Sequence, residues 1–275
     1  MAETAIPRSP SSLQPKPSLG RLWQVLSLPL FLFLILPIAA LFLRTSPAEL
    51  IENLNQPQVL QAIALSLSTT ATSTVIIVVI GTPVAYSLAR NRVPYRRVVD
   101  TLIDMPTVLP PAVAGVALLM AFGRRGILGA ALAGLGLQIA FSPVAVMLAQ
   151  IFIAAPFYIK AATIGFAHID IELEQAAALD GASSWEVFRY VTIPLSWTGL
   201  LSGSVMSWAR ALGEFGATII FAGNLPGVTQ TMPLAIYLGF QIDLDMALTL
   251  SVILIGFSFL ALVVVKGLLE REEST

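Results

Sequence analysis

From residue 58 to residue 89 the chain carries no charged side chain. A helix crosses the hydrocarbon core of a bilayer with about 20 mostly apolar residues, so this run alone points to lipid as the solvent. Five more stretches read the same way: 22–43, 98–122, 138–159, 196–222 and 246–265. The third carries Asp100 and Asp104 at its start, and the fifth contains Arg210 and Glu214. Charged residues make up only 11% of the 275 and hydrophobic ones 56%, against about 25% charged in a soluble domain. The runs are long and continuously apolar, without the short alternating segments of barrel strands. The expected fold is all-α and integral to a membrane, with six transmembrane helices over 22–266.

Lys and Arg near the ends of spans set orientation. With the N-terminus in the cytoplasm, the inner segments hold Arg8, Lys16, Arg21, Arg90, Arg92, Arg96, Arg97, Lys160, Arg189, Lys266 and Arg271, and the outer ones only Arg44, Arg124 and Arg125. Both termini are therefore expected inside. Residues 1–21, rich in Pro and Ser, read as a disordered cytoplasmic tail, and 267–275 as a second tail. The run 22–43 is long enough to be a retained helix rather than a cleaved signal. A formal net charge of −1 gives no general attraction to nucleic acid. Without cysteine, thiolate metal sites and thiol catalysis are excluded, and His168, the single histidine, allows no multi-histidine metal centre. His168 itself reads as a plain surface residue.

Between the fourth and fifth stretches lies a long amphipathic segment, IELEQAAALDGASSWEVFRYVTIPL, from 171 to 195. Asp170, Glu172 and Glu174 suit the positive end of a helix, and three alanines at 176–178 favour helix. Gly181 allows a sharp turn. A second short helix, 184–190, follows, capped by Ser183 or Ser184 and leading to Pro194. The result is a helix–turn–helix elbow.

The elbow resembles the cytoplasmic loop of ABC importer permeases, whose pattern is Glu-Ala-Ala, three residues, Gly, nine residues, then Ile, any residue, Leu, Pro. Gln175, Ala176, Ala177, Gly181, Val191, Ile193 and Pro194 take those positions, with Gln175 in place of the Glu and Glu174 beside it. The stretches 105–129 and 210–237 resemble the molybdate and sulfate group of these permeases, and 214–233 looks closest to its molybdate members. The likeness runs over about 60–266. It implies the type I importer permease fold and a coupling helix at Asp180, Gly181, Ala182, Ser183 and Trp185 that contacts a cytoplasmic ATPase. It further implies a second permease copy, two ATPase subunits that use ATP and Mg, and an oxyanion-binding protein outside. The chain itself would hold no cofactor, carry out no catalysis, and move molybdate or a related anion such as sulfate, thiosulfate or tungstate through the inner membrane. A membrane enzyme would need clustered titratable groups in the spans, and a channel or secondary transporter has no use for the elbow.

Arg210 and Glu214 are four apart and share a helix face. They read either as a gate element that offers positive potential to an anion or as a structural pair tying the fifth span to a neighbour. Thr107, Pro110 and Pro111 read either as a kink lining the pathway or as an ordinary entry turn. Arg124, Arg125 and the loop 224–231 face outside, as contacts for a binding protein or as solvated loop. Gly199, Gly203, Ser204 and Ser207 suit close helix packing.

Overall fold

The computed structural model describes the backbone of residues 18–273 and the side chains of 23–267. The tail expected at 1–21 therefore lies outside the described residues, except that 18–21 are already helical. The chain divides into two compact units, 1–44 and 45–275. In the first, α1 (Ser18–Arg44) continues through Pro29 and Pro37, and its described side chains, from Trp23 on, form no polar face, as suits a helix surrounded by lipid.

Among its described residues the second unit has helices as its only regular elements. It runs through α2 (Pro47–Leu54), α3 (Pro57–Ala89), α4 (Arg96–Val108), α5 (Pro111–Phe122), α6 (Gly129–Gly134), α7 (Pro143–Ala167), α8 (Ile171–Leu179) and α9 (Ser184–Val187). A π-helical turn (Phe188–Thr192), α10 (Ile193–Leu195), α11 (Trp197–Leu212), α12 (Gly216–Phe221), α13 (Met232–Ile242) and α14 (Leu244–Glu273) complete it. Pro47, Pro57, Pro111 and Pro143 each open a helix, where the missing N–H costs nothing. Ser46 and Ser142 cap two of these starts.

Helix α7 is the core of this unit. Tyr158, Ala162 and Phe166 pack with Ile77, Ala85 and Leu88 of α3 and Leu200 of α11. Small residues set the approach of α7 and α11. A Cβ added to Gly199 would lie 2.9 Å from Gly165 Cα, one on Gly203 would meet Ala161, and Ser207 Oγ donates to Ala154 O at 3.0 Å. The packing expected of Gly199, Gly203 and Ser207 is thus present. On α3 the buried hydroxyls of Thr69 and Ser73 bracket Gln150 of α7, at 3.1 and 3.0 Å. Such groups must find partners where no water reaches them.

Two expected stretches are broken. The third is two helices, α4 and α5, at 115° to each other. Pro110 and Pro111 supply no N–H to continue α4, and Leu109 takes the extended backbone required before proline, ψ 135°. The break lies there and not at Pro106, which stays inside α4. The fifth stretch stops at Gly213 and restarts at Gly216, leaving α11 with 16 residues. Among the described residues four helices are long and apolar enough to cross a membrane, Trp23–Arg44, Pro57–Ala89, Pro143–Ala167 and Leu244–Gly267, and the bent pair makes a fifth if counted as one span. In the tail expected from 267, the backbone continues α14 as far as Glu273. Leu, Glu and Arg there are all good helix formers.

Candidate functional site

The elbow is built by local rules. Helix α8 ends at Asp180, and Gly181 sits at φ +94°. Ala182 N–H donates to Ala177 O and Gly181 N–H to Ala178 O, both at 3.1 Å. This pair of bonds closes a Schellman turn, which needs a left-handed residue after the helix. Nothing lies within 4 Å of a Cβ placed on Gly181, so the glycine is required by conformation and not by space. Helix α9 then starts at a capping box. Ser183 Oγ accepts from Glu186 N–H at 3.4 Å, while Glu186 accepts from the Ser183 amide at 2.8 Å and hydroxyl at 2.7 Å. Of the two serines considered for this cap, Ser183 has the role.

Those hydrogen bonds, the hydroxyl's first and then the amide's, hold the Glu186 carboxyl below the usual carboxylate range. A lowered folded-state value means that the ionised box stabilises α9 above the ordinary carboxylate pKa and that this contribution is lost as pH falls through the lowered one. Hydrogen exchange at the Ser183 amide, corrected for its intrinsic pH dependence, should lose protection in that acid window. The Glu186→Gln protein should show no such step.

Helix α9 is shorter than the expected 184–190. From Phe188 the chain takes one π-helical turn, with Ile193 N–H donating to Phe188 O. Pro194 lacks the N–H that would bond Tyr190 O, which favours a widened register just before it. The elbow leaves Leu179 88% and Trp185 64% exposed, apolar area suited to a partner. Gln175, Asp180, Gly181, Ser183 and Pro194 are exposed too. Inside its angle is an open cavity of about 580 Å³ lined by Tyr86, Arg92, Glu174, Gln175 and Trp185.

One residue at its centre was not among the expected site residues. The Glu174 carboxylate, 12% exposed, pairs with Arg90 at 2.7 Å and accepts from Thr192 Oγ at 2.8 Å and, at a long 3.5 Å, from Tyr86 Oη. Arg90, 6% exposed, also donates to Ile169 O at 3.2 Å. The departure at Gln175 thus leaves a carboxylate in the elbow, one position earlier. The signal available in sequence was Glu174 itself; its partner lies at the far end of another helix.

The expected gate residues meet at the two broken helices. Glu214 is 1% exposed; it pairs with Arg210 at 3.0 Å and accepts from Ala217 N–H at 2.8 Å. The pair therefore spans the α11–α12 break and caps α12, holding one chain segment together instead of tying it to a neighbouring span. The start of α12 lies on the start of α5: a Cβ added to Gly216 would fall 2.5 Å from Pro111 Cβ, and one on Gly115 2.8 Å from Ala217 O. Pro110 and Pro111 are thus brought to the Arg210–Glu214 break. Thr107 is not; its hydroxyl donates to Asp104 O in its own helix at 2.7 Å. A third charged group was also missed as a cluster: Lys160 of α7 holds Asp100 and Asp104 of α4 at 2.6 and 2.9 Å.

The loop 224–231 is only partly solvated. Leu225 and Val228 are exposed, but Thr229, Gln230 and Thr231 are buried. Thr229 Oγ accepts the Leu225 N–H at 3.0 Å, and Ser66 Oγ accepts the Met232 N–H at 2.7 Å, which folds the loop onto α3. His168 ends α7, exposed, with Nδ1 2.8 Å from Ile164 O.

Comparison with known proteins places this geometry. The chain is 43% identical to the molybdenum transport system permease protein ModB of Mycobacterium bovis, over 81% of this chain and 84% of that protein. It is 32% identical to the molybdate/tungstate transport system permease protein WtpB of Thermococcus kodakarensis, over 89% and 94%. A bacterial ABC transporter that imports alginate has the same fold, with a TM-score of 0.70 at 19% identity, over 93% of this chain and 95% of that one. The profile of binding-protein-dependent transport system inner membrane components matches residues 77–271, a span that takes in the elbow and both helix breaks, and the chain belongs to that family.

Proposed function

We propose that this chain is the pore-forming permease subunit of an ATP-driven importer that carries molybdate across the inner membrane. The observation that carries the reading is 43% identity to a molybdenum permease across 81% of the chain. The capped elbow with its exposed Trp185 and Leu179 supports the ATP-driven part. Six crossings are formed by α1, α3, the α4–α5 pair, α7, the α11–α12 pair and α14, with both termini inside. Two copies of the chain surround the pathway, two ATPase subunits bind the elbows, and an oxyanion-binding protein delivers cargo outside. This chain holds no cofactor; ATP and Mg belong to the ATPases.

Under this reading ATP binding draws the two ATPases together, and residues 180–185 move with them as coupling helices. The helices joined to the elbow tilt and open the shared pathway outward. The α11–α12 break and the start of α5 are the gate elements, with the partly exposed Arg210 guanidinium presenting positive potential to the anion. Few fixed charges on the path suit rapid passage, because a strong site would hold the anion too long. Selection then rests with the binding protein. Tungstate, of the same charge and shape, is a competing cargo, as the WtpB likeness suggests.

In proteoliposomes holding this chain, its ATPase and its binding protein, molybdate uptake should require ATP, and the ATPase should respond to this chain. Labelling of a single introduced cysteine at residue 180 should occur only from the cytoplasmic side. ATP-independent uptake, an indifferent ATPase or labelling from outside would overturn the reading.

A further inference from the structure

We propose that Glu174 is a positioning residue for coupling: through Arg90 it fastens the elbow to α3, so that α3 follows the ATPase. The inference rests on the functional reading above. The chain joins the elbow directly to α7 through 168–170 and to α11 through α10, whereas α3 is separated from it in the chain by α4 to α7. Arg90 is 84 positions away from Glu174 in sequence.

The geometry places one carboxylate where three segments meet. Arg90 closes the C-terminal end of α3, Glu174 lies on α8, and Thr192 ends the π-helical turn. The Arg90 fork reaches Glu174 at 2.7 Å with one nitrogen and Ile169 O at 3.2 Å with another. Thr192 holds the same Glu174 oxygen at 2.8 Å. A charged, two-armed contact fixes direction as well as distance. The rings of Tyr86, Phe166 and Phe188 also pack edge-on here, with centroids 5.5 and 5.3 Å from Tyr86, but apolar faces can slide over each other. The ion pair is the element that resists sliding.

Helix α3 has somewhere to carry the motion. At its other half Ser66 Oγ accepts the Met232 N–H that opens α13, at 2.7 Å. Ser66 and Arg90 are separated by about 36 Å of helix at ~1.5 Å per residue. One helix thus touches the elbow at one end and the folded loop before α13 at the other. Without the ion pair the elbow would reach α3 and that loop only indirectly, through the packing of α3 on α7 and the Gln150 bridge to Thr69 and Ser73.

The test uses the complete complex in proteoliposomes, with ATP hydrolysed per molybdate imported as the readout. Glu174→Gln is expected to raise that ratio roughly tenfold, the ordinary scale of coupling between sites, while the complex still assembles. Arg90→Gln should do the same, and the double variant should be no worse than either single one, because the two act as a unit. Should either single variant fail to assemble, Thr192→Val decides: it removes one hydrogen bond to Glu174 without unpairing a charge and should raise the ratio severalfold less than tenfold. An unchanged ratio, uptake and hydrolysis falling in parallel, or losses that multiply in the double variant would each overturn the proposal. Absence of ATP-dependent molybdate uptake in the unaltered complex would instead overturn the functional reading itself.

Discussion

Gly181→Ala is expected to suppress ATP-driven uptake by about 5–30-fold while leaving the amount of complex in the membrane nearly unchanged. The turn needs φ +94° at this position. An L-residue held in left-handed backbone costs about 1–2 kcal/mol, and one to two kcal/mol changes a two-state ratio by roughly 5–30-fold. The state lost is the one in which Ala177 and Ala178 carbonyls receive the Ala182 and Gly181 amides, and with it the angle that presents Trp185. No steric term adds to the cost, since the space around Gly181 is empty within 4 Å. Gly136 is the control. It too has a positive φ, +72°, and open space around a Cβ, so Gly136→Ala carries similar strain outside the elbow. ATPase stimulation by the permease is the measurement. Loss with Gly181→Ala and retention with Gly136→Ala would place the effect in the elbow. Equal retention in both would mean that the turn's geometry does not matter to coupling.

What was legible in the sequence follows the range of the interaction that decides it. Gly181, the Ser183–Ser184 pair and Pro111 act on backbone within a few positions, so the turn, a serine cap and the break before Pro111 could be read from neighbouring residues; the helix starts at Pro47, Pro57 and Pro143 are equally local but were not among the expectations. The small face of α11 was legible for the same reason. The Arg90–Glu174 and Lys160–Asp100 pairs could not be read, because their partners are 84 and 60 positions apart and no local pattern marks them. The family pattern puts its acidic position at Gln175, one residue after the carboxylate that pairs. The stretch 196–222 looked continuous because its hydropathy is continuous. Its break depends on Glu214 turning inward to cap α12, a choice that periodicity does not record. Thr229 to Thr231 read as outward-facing loop, for a binding protein or for solvent, because they are polar; the loop is folded inward by the Leu225 amide on the Thr229 hydroxyl and the Met232 amide on a serine of α3.

Glu214→Ala should be the most damaging single change at the helix breaks. Glu214 is buried to 1% exposure and has two partners, the Arg210 guanidinium at 3.0 Å and the Ala217 amide at 2.8 Å. Truncation leaves a cation without its counter-ion and a helix start without its acceptor. Removing one member of a buried pair costs about 3–5 kcal/mol; Arg210 keeps 32% exposure, and solvent at its outer side brings the expectation to the lower end, about 3 kcal/mol. The Gly216–Pro111 contact sits two residues from Glu214, so a freed α12 also loses its seat against α5. A lower melting temperature of the detergent-solubilised complex and loss of molybdate uptake are expected together. Glu214→Gln separates charge from capping, because a carboxamide oxygen can still receive the Ala217 amide. Stability should recover in part with Glu214→Gln. Uptake should stay low if Arg210 must be held by a full negative charge beside the pathway, and should recover with stability if the pair serves only to close the break.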